Sequence, residues 1–321
     1  MRVTRLLCLV VLLALPVGAQ TPEPAATPAP TPVPAPSLDD LRMIRYKISA
    51  GDLPSAESIL ESHKAEKGED GEYLLGLAWV ARGAALTGDW KAAADWAKAG
   101  RKLAASKLNS PADYDANREA VYLLGSVIEV QAQVLVAAGK KPAAIQYLQE
   151  SSRTLEKAGA PYNVRARVWK RRDLIELEGQ PAPAVRADDH VGAVPPPLDS
   201  LRGKPVVLFF WWESCGDCRS QAPVLRRIVA KYLAKGVAFV APTRFYTDDR
   251  IGEKEKIETA WKEIYAMPGA VSAPISDEAM LRYGVSATPT FVFVDKKGVV
   301  KKYSPTRMSE ARLTAAIEEI L

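Results

Sequence analysis

The chain has 321 residues, of which 48% are hydrophobic and 25% charged, a composition typical of globular proteins and a length sufficient for two domains. It excludes a collagen-like chain, a wholly disordered chain and a membrane protein with many spans. The net charge of +5 comes from interspersed residues and argues against nucleic-acid binding, and two His and three Cys argue against a metal cluster or a disulfide-dense scaffold.

The N-terminus has the pattern of an export signal. Arg2 and Arg5 precede an apolar run over residues 6–15, and small residues follow up to Ala19. As a helix this run rises about 15 Å, which is too short to cross a hydrocarbon core of about 30 Å. We therefore expect a signal peptide over residues 1–19 and export, in a bacterium to the periplasm. The alternative is a signal anchor that stays in the membrane.

Cleavage of this signal leaves Cys215 and Cys218 as the cysteines of the mature chain. Exported proteins commonly carry structural disulfides, but two cysteines three positions apart close a loop too short to stabilise a fold much. Redox chemistry is therefore the leading interpretation of the pair.

Residues 20–37 contain seven prolines and no aromatic residue, which predicts an extended, disordered spacer. From 38 to 179 helix formers dominate. Segments that begin at Gly51, Gly88 and Gly139 each follow one apolar helical pattern and open another. Glycine is common at this position because the chain leaves a helix with a positive φ.

This helix–turn–helix pattern resembles tetratricopeptide repeats, although the spacing of the three glycines is irregular. We therefore expect residues 38–179 to form a TPR-like helical domain that can bind a partner protein. The alternative is a plain helical bundle, which buries the same apolar faces.

Residues 180–197 are again proline-rich and predict a linker, after which the pattern changes. The apolar run 206–211 predicts a strand buried on both faces. Further strands are expected at 237–241, 290–294 and 299–303, and helices at 216–234, 253–266, 277–283 and 310–321. This order predicts an α/β domain over 198–321, with a mixed sheet covered by helices.

Cys215 and Cys218 form a C-x-x-C pair where the first of these strands passes into a long helix. Free N–H groups and the helix dipole stabilise a thiolate at such an N-terminus. We therefore expect Cys215 to be the exposed nucleophile and Cys218 to be the resolving thiol that breaks a mixed disulfide. His63 and His190 are interpreted as surface or linker residues and not as ligands.

Several motifs resemble the thioredoxin superfamily: Phe210-Trp211, Cys215-Gly216-Asp217-Cys218, Tyr283-Gly284-Val285 and Pro289-Thr290-Phe291. Others resemble its exported TlpA/ResA-like branch: Leu201-Arg202-Gly203-Lys204-Pro205, Thr288 before the proline, and the long interval between Cys218 and Pro289. The resemblance covers about residues 185–321.

The resemblance implies a thioredoxin fold, thiol–disulfide exchange without a cofactor or metal, and a cis-proline at Pro289 that faces the cysteines. Five residues are expected to tune this centre or border its docking surface: Trp211, Trp212, Gly216, Asp217 and Thr288. Trp211 also suits core packing. The implied partners are protein thiols or disulfides and an upstream thiol electron donor, and no nucleic acid.

The chain departs from the family pattern at Phe209 and Gln221, where carboxylates are frequent, so the base that deprotonates Cys218 is unassigned. Asp217 should disfavour a neighbouring thiolate by charge repulsion, with Arg219 as a partial offset. Because this destabilises the reduced form, we predict a reductant or an isomerase-like protein and not a strong oxidant. The rival hypothesis is an interaction scaffold with a weakly active or inert docking domain.

Overall fold

The computed structural model describes residues 39–187 and 189–321, so the expected signal peptide and proline-rich spacer lie outside these residues. Eight helices come first in this part of the chain and are called here the helical region: α1 Asp40–Ser49, α2 Leu53–Lys67, α3 Gly71–Thr87, α4 Trp90–Lys107, α5 Pro111–Ala116, α6 Arg118–Ala137, α7 Lys141–Lys157 and α8 Tyr162–Glu176.

Local sequence signals explain where these helices begin and end. The side chains of Asp39, Asp52, Asp70 and Asp89 each accept a hydrogen bond from a backbone N–H of the first helical turn. As expected, the turn glycines 51, 88 and 139 have φ between 74° and 84°. These turns reverse the chain, so that α1 packs on α2 and α3, α3 on α4 and α6, and α6 on α7 and α8.

Helix α6 lies at the centre of the helical region. It is long and apolar enough to span a membrane by length and composition alone. Most of its side chains are buried, however, in a core of alanine, leucine and valine shared with α3 and α4. The apolar length of α6 is therefore that of a core helix.

A mixed six-stranded sheet, called here with its helices the sheet region, follows in the order β1-β4-β3-β2-β5-β6. Its elements are β1 Asp189–Gly192, β2 Val206–Phe210, α9 Gly216–Leu233, β3 Ala238–Val240, α10 Arg250–Thr259, β4 Ser272–Ile275, α11 Asp277–Arg282, β5 Thr290–Val294, β6 Val300–Ser304 and α12 Glu310–Glu318. Strand β2 runs parallel to β3 and antiparallel to β5. The sequence prediction of a mixed sheet flanked by helices is confirmed.

The two faces of β2 are buried against different layers. Val207 and Phe209 share a core with α9 and α12. Val206, Leu208 and Phe210 point to the opposite face and share a core with α11 and with a residue of α8, Leu174. The helical region therefore covers part of the sheet directly.

Three features differ from the expected elements. Strand β1 lies inside the stretch that we interpreted as a linker, and it pairs with β4, which was not predicted. The expected helix 253–266 contains a change of pitch, because α10 is followed by a π-helical turn over Ala260–Tyr265. His63 is also not a surface residue: it is buried, with its ring nitrogens 2.7 and 2.9 Å from carboxylate oxygens of Asp40 and Asp70.

Candidate active site

The end of strand β2 is held firmly where it turns toward α9. The indole N–H of Trp211 donates to the carbonyl of Ala241 at 2.8 Å, and the Thr243 hydroxyl donates to the carbonyl of Trp211 at 2.8 Å. Trp211 is fully buried, stacks on Trp261 and packs at a tilt against Tyr265. It therefore fixes the backbone below the cysteines and contributes no docking surface.

Cys215 is the N-cap residue of α9, and its sulfur accepts a hydrogen bond from the backbone N–H of Cys218 at 3.3 Å. It also lies 3.5 Å from the carbonyl oxygen of Thr288. A hydrogen bond from the Cys218 thiol, assisted by hydrogen bonds from the Thr288 side chain and the Cys218 backbone, outweighs burial and lowers the pKa of Cys215 to about 6. Cys215 is only half-buried, so its thiolate forms near neutral pH where a reactant can reach it.

Cys218 has the opposite environment. Its side chain is fully buried, and both cysteines are free thiols. Burial, and then the neighbouring Cys215 sulfur, raise the pKa of Cys218 well above its usual value. The pair thus consists of one accessible, acidic thiol and one sheltered, protonated thiol, the division that stepwise disulfide exchange requires.

The loop that leads into β5 completes the site. The peptide bond between Thr288 and Pro289 is cis, and the Thr288 carbonyl contacts Cys215. We call residues 284–289 the proline loop. Trp212 is half-buried, with its ring 4.9 Å from that of Tyr246. Gly216 is exposed, and a Cβ there would meet no atom within 4 Å.

A buried carboxylate of the helical region contacts the proline loop. Glu129 of α6 accepts hydrogen bonds from Ser286 at 2.6 Å, from Arg167 at 2.6 Å and from Arg171 at 3.0 Å. Burial alone would raise the pKa of Glu129, but the two guanidinium charges and the Ser286 hydroxyl outweigh it and lower the pKa to about 2. Sequence reasoning missed this network because its members are far apart in the chain.

Asp217 faces a different cation from the one expected. Its carboxylate lies 3.5 Å from the guanidinium of Arg307, whereas Arg219 donates to the backbone carbonyl of Glu213 at 3.0 Å. Asp217 raises the pKa of Cys215, as predicted, but more weakly than the contacts of Cys218 and Thr288 lower it. The ion-pair partner of Asp217 is therefore Arg307 and not Arg219.

The two departures from the family pattern have packing roles. The Gln221 amide is buried and exchanges two hydrogen bonds with the backbone of Met308, at 2.8 and 3.0 Å. Phe209 packs on Phe291 and Tyr265. A carboxylate that the sequence did not single out, Glu213, is buried two residues before Cys215 and receives the Ser214 hydroxyl at 2.9 Å.

The acidic thiol gives a pH prediction. We expect the rate of alkylation of reduced Cys215 by iodoacetamide to rise about tenfold between pH 5 and pH 7 and then to level off, with a midpoint near the pKa of about 6. In Cys218→Ala the midpoint should move to higher pH, because the largest stabilising contact of the thiolate is lost. A rate that still climbs steeply above pH 8 in the wild type would contradict this.

Comparisons with known proteins concern the sheet region. Residues 177–317 match the Redoxin family model. Thiol-disulfide oxidoreductase ResA of Geobacillus thermodenitrificans is 27% identical over 123 residues, which cover 38% of this chain and 67% of that protein. ResA of Bacillus thuringiensis is 28% identical with the same coverage. A secreted disulfide oxidoreductase of Mycobacterium tuberculosis has 25% identity and a TM-score of 0.33, covering 40% of this chain and 90% of that one.

Proposed function

We propose that this chain, which belongs through its sheet region to the TlpA/ResA-like branch of the thioredoxin superfamily and is a thiol–disulfide oxidoreductase, reduces disulfides of client proteins outside the cytoplasm. The observation that carries the proposal is the contrast between a half-exposed Cys215 with a pKa of about 6 and a fully buried Cys218. The apolar N-terminal run supports export, in a bacterium to the periplasm.

The reaction proceeds in two exchanges. The Cys215 thiolate attacks one sulfur of a client disulfide, so that a mixed disulfide forms and the second client sulfur leaves as a thiolate. Cys218 then loses its proton and attacks the Cys215 sulfur, which releases the first client thiol and leaves a Cys215–Cys218 disulfide. The client gains two electrons and the enzyme loses two, so a further thiol donor must return the enzyme to its reduced state.

The surroundings assign roles to the remaining residues. The Thr288 carbonyl borders the nucleophile, and Thr288 and the cis-linked Pro289 would align the client backbone beside it. The half-buried Trp212 would border the docking surface, and the exposed Gly216 leaves room for an incoming disulfide. Asp217, although paired with Arg307, still opposes the thiolate, so it makes the couple more reducing than the other contacts of Cys215 alone would.

The helical region would recruit a partner or place the redox centre. We propose a TPR-like arrangement for it, because the helices pack as successive pairs. Helix α1 packs on α2 and α3, α3 packs on α4 and α6, and α6 packs on α7 and α8. Such stacking is how helical repeats bury a continuous core.

Trapping tests the proposed function. Cys218→Ala should accumulate mixed disulfides with client proteins in the compartment where the chain resides, since the second exchange is blocked. Cys215→Ala should trap none, and it serves as the matched control. If Cys218→Ala captures nothing and the reduced wild type fails to reduce a small disulfide, the oxidoreductase proposal is wrong and a docking scaffold remains. A measured reduction potential of about −120 mV, which is that of a strong disulfide donor, would refute the proposal that the enzyme reduces its clients.

A further inference from the structure

A cavity of about 380 Å³ lies where the helical region meets the proline loop. Its walls come from both regions: Asn163, Arg167 and Lys170 of α8 on one side, and Arg244, Tyr246 and Thr288 of the sheet region on the other. Since the Thr288 carbonyl lies 3.5 Å from the Cys215 sulfur, the cavity adjoins the nucleophile.

The cavity continues away from the cysteines. A second cavity of about 690 Å³ runs along the helical region and shares Asn163 and Arg167 with the first. Tyr114, Tyr122 and Arg118 also line it. Together the two cavities form what we call the interface groove, one end of which is lined by Thr288, the residue whose carbonyl contacts Cys215.

The charges that line the interface groove are mostly positive. Four cations line it, Arg118, Arg167, Lys170 and Arg244, against one carboxylate, Asp115. Arg167 is held by Glu129, and Arg244 lies 3.5 Å from Asp277, outside the groove lining. Among the residues that the structure describes, Lys170 and Arg118 form no ion pair.

The surroundings of Lys170 disfavour its positive charge. Its side chain is half-buried, and burial, followed by repulsion from Arg244, lowers its pKa. A carboxylate brought into the groove would relieve this repulsion, and in a partly buried site it would be screened less by salt than on an open surface.

The walls of the groove are fixed before anything binds. Glu129 joins α6 and α8 to Ser286 of the proline loop, and Gly284 lies directly on the backbone of α8. A site that is already assembled loses little free energy to ordering when a flexible segment enters.

We propose that the interface groove binds an extended acidic segment of the client protein next to its reactive cysteine, so that the helical region selects which disulfides reach Cys215. This inference rests on the proposed function and adds the chemistry of the substrate. The occupant follows from charge complementarity with Lys170 and Arg118 and from the continuity of the groove with the nucleophile.

Three matched peptides test the proposal. Each carries one cysteine joined by a disulfide to 5-thio-2-nitrobenzoate and is flanked by glutamates, glutamines or lysines. Release of the coloured thiol by the reduced wild type should show a kcat/KM at least fivefold higher for the glutamate peptide than for the lysine peptide. This preference should shrink as salt is added, because it is electrostatic.

Lys170→Glu should bring the glutamate-to-lysine ratio of kcat/KM down to about one or below, and Lys170→Gln should give an intermediate ratio. Lys98→Glu is the control: it makes the same change in net charge on an exposed part of α4 and should keep the wild-type ratio. The groove proposal is overturned if the enzyme still reduces bis(2-hydroxyethyl) disulfide but reacts with all three peptides at equal rates. It is also overturned if Lys170→Glu leaves the glutamate-to-lysine ratio unchanged. Failure with that small disulfide as well would instead overturn the proposed function.

Discussion

Replacing Glu129 by glutamine is expected to lower the free energy of unfolding by about 3–5 kcal/mol, because it leaves the buried guanidinium of Arg171 and that of Arg167 without a counter-charge. The loss should reach the active site, since the Ser286 hydroxyl loses its charged acceptor. We expect the proline loop to hold Thr288 less firmly and the pKa of Cys215 to rise. Urea unfolding measures the first effect, and the pH dependence of alkylation measures the second.

The pH dependence of the free energy of unfolding separates the contribution of the Glu129 charge from that of its packing. Its pKa is lower in the folded protein, about 2, than the ordinary value of 4.5, so its charge stabilises the fold above pH 4.5 and this contribution disappears as the pH falls toward 2. The difference in stability between wild type and Glu129→Gln should therefore be full at pH 7 and shrink below pH 4.5.

Glu156→Gln is the matched control for this experiment, because Glu156 is exposed on α7. It should change stability by less than about 0.5 kcal/mol at any pH. Equal stability of Glu129→Gln and Glu156→Gln at pH 7 would show that the buried network contributes nothing.

Gly284→Ala is expected to cost about 2–5 kcal/mol, the second large effect. Gly284 has a φ of 58°, and a Cβ there would lie 2.2 Å from the carbonyl oxygen of Lys170 and 2.6 Å from the backbone nitrogen of Leu174. A left-handed alanine alone costs about 1–2 kcal/mol, and overpacking against backbone adds about 1–3 kcal/mol. Because α8 must move away, the glutamate preference of the interface groove should fall as well.

Gly139→Ala separates the cost of the left-handed backbone from the cost of overpacking. Gly139 has a similar φ of 74°, but a Cβ there would meet no atom within 4 Å. The free energy of unfolding should therefore fall only by the backbone cost, about 1–2 kcal/mol. Urea unfolding of both variants decides the matter: if they lose the same stability, the contact between Gly284 and α8 is not tight in solution.

The dithiol could be predicted from sequence because its signals are local. A run of β-formers ends at Trp211, a helical pattern starts at Gly216, and Cys215 lies between them, so strand, helix and nucleophile all follow from one continuous stretch of sequence. The turn glycines of the helical region were predictable for the same reason.

Features that depend on distant partners could not be read in this way. Ser286 and Glu129 are 157 positions apart, and Gln221 and Met308 are 87 apart, so no periodicity connects them. Strand β4 contains Pro274, which argues against a strand when it is read alone. It forms beside β3 and pairs along its other edge with β1, a strand of only four residues that also has little strand character.

Leu174 of α8 packs on one face of the sheet, and this contact limits how the sheet region can be transferred between genes or re-engineered. The family match begins at residue 177, just beyond the end of α8 at Glu176. A recombination event or a gene fusion that copied only the matched portion would carry an uncovered apolar face and half of a groove. The unit that can be moved between genes with its sheet covered and its groove complete therefore includes the helices that precede it.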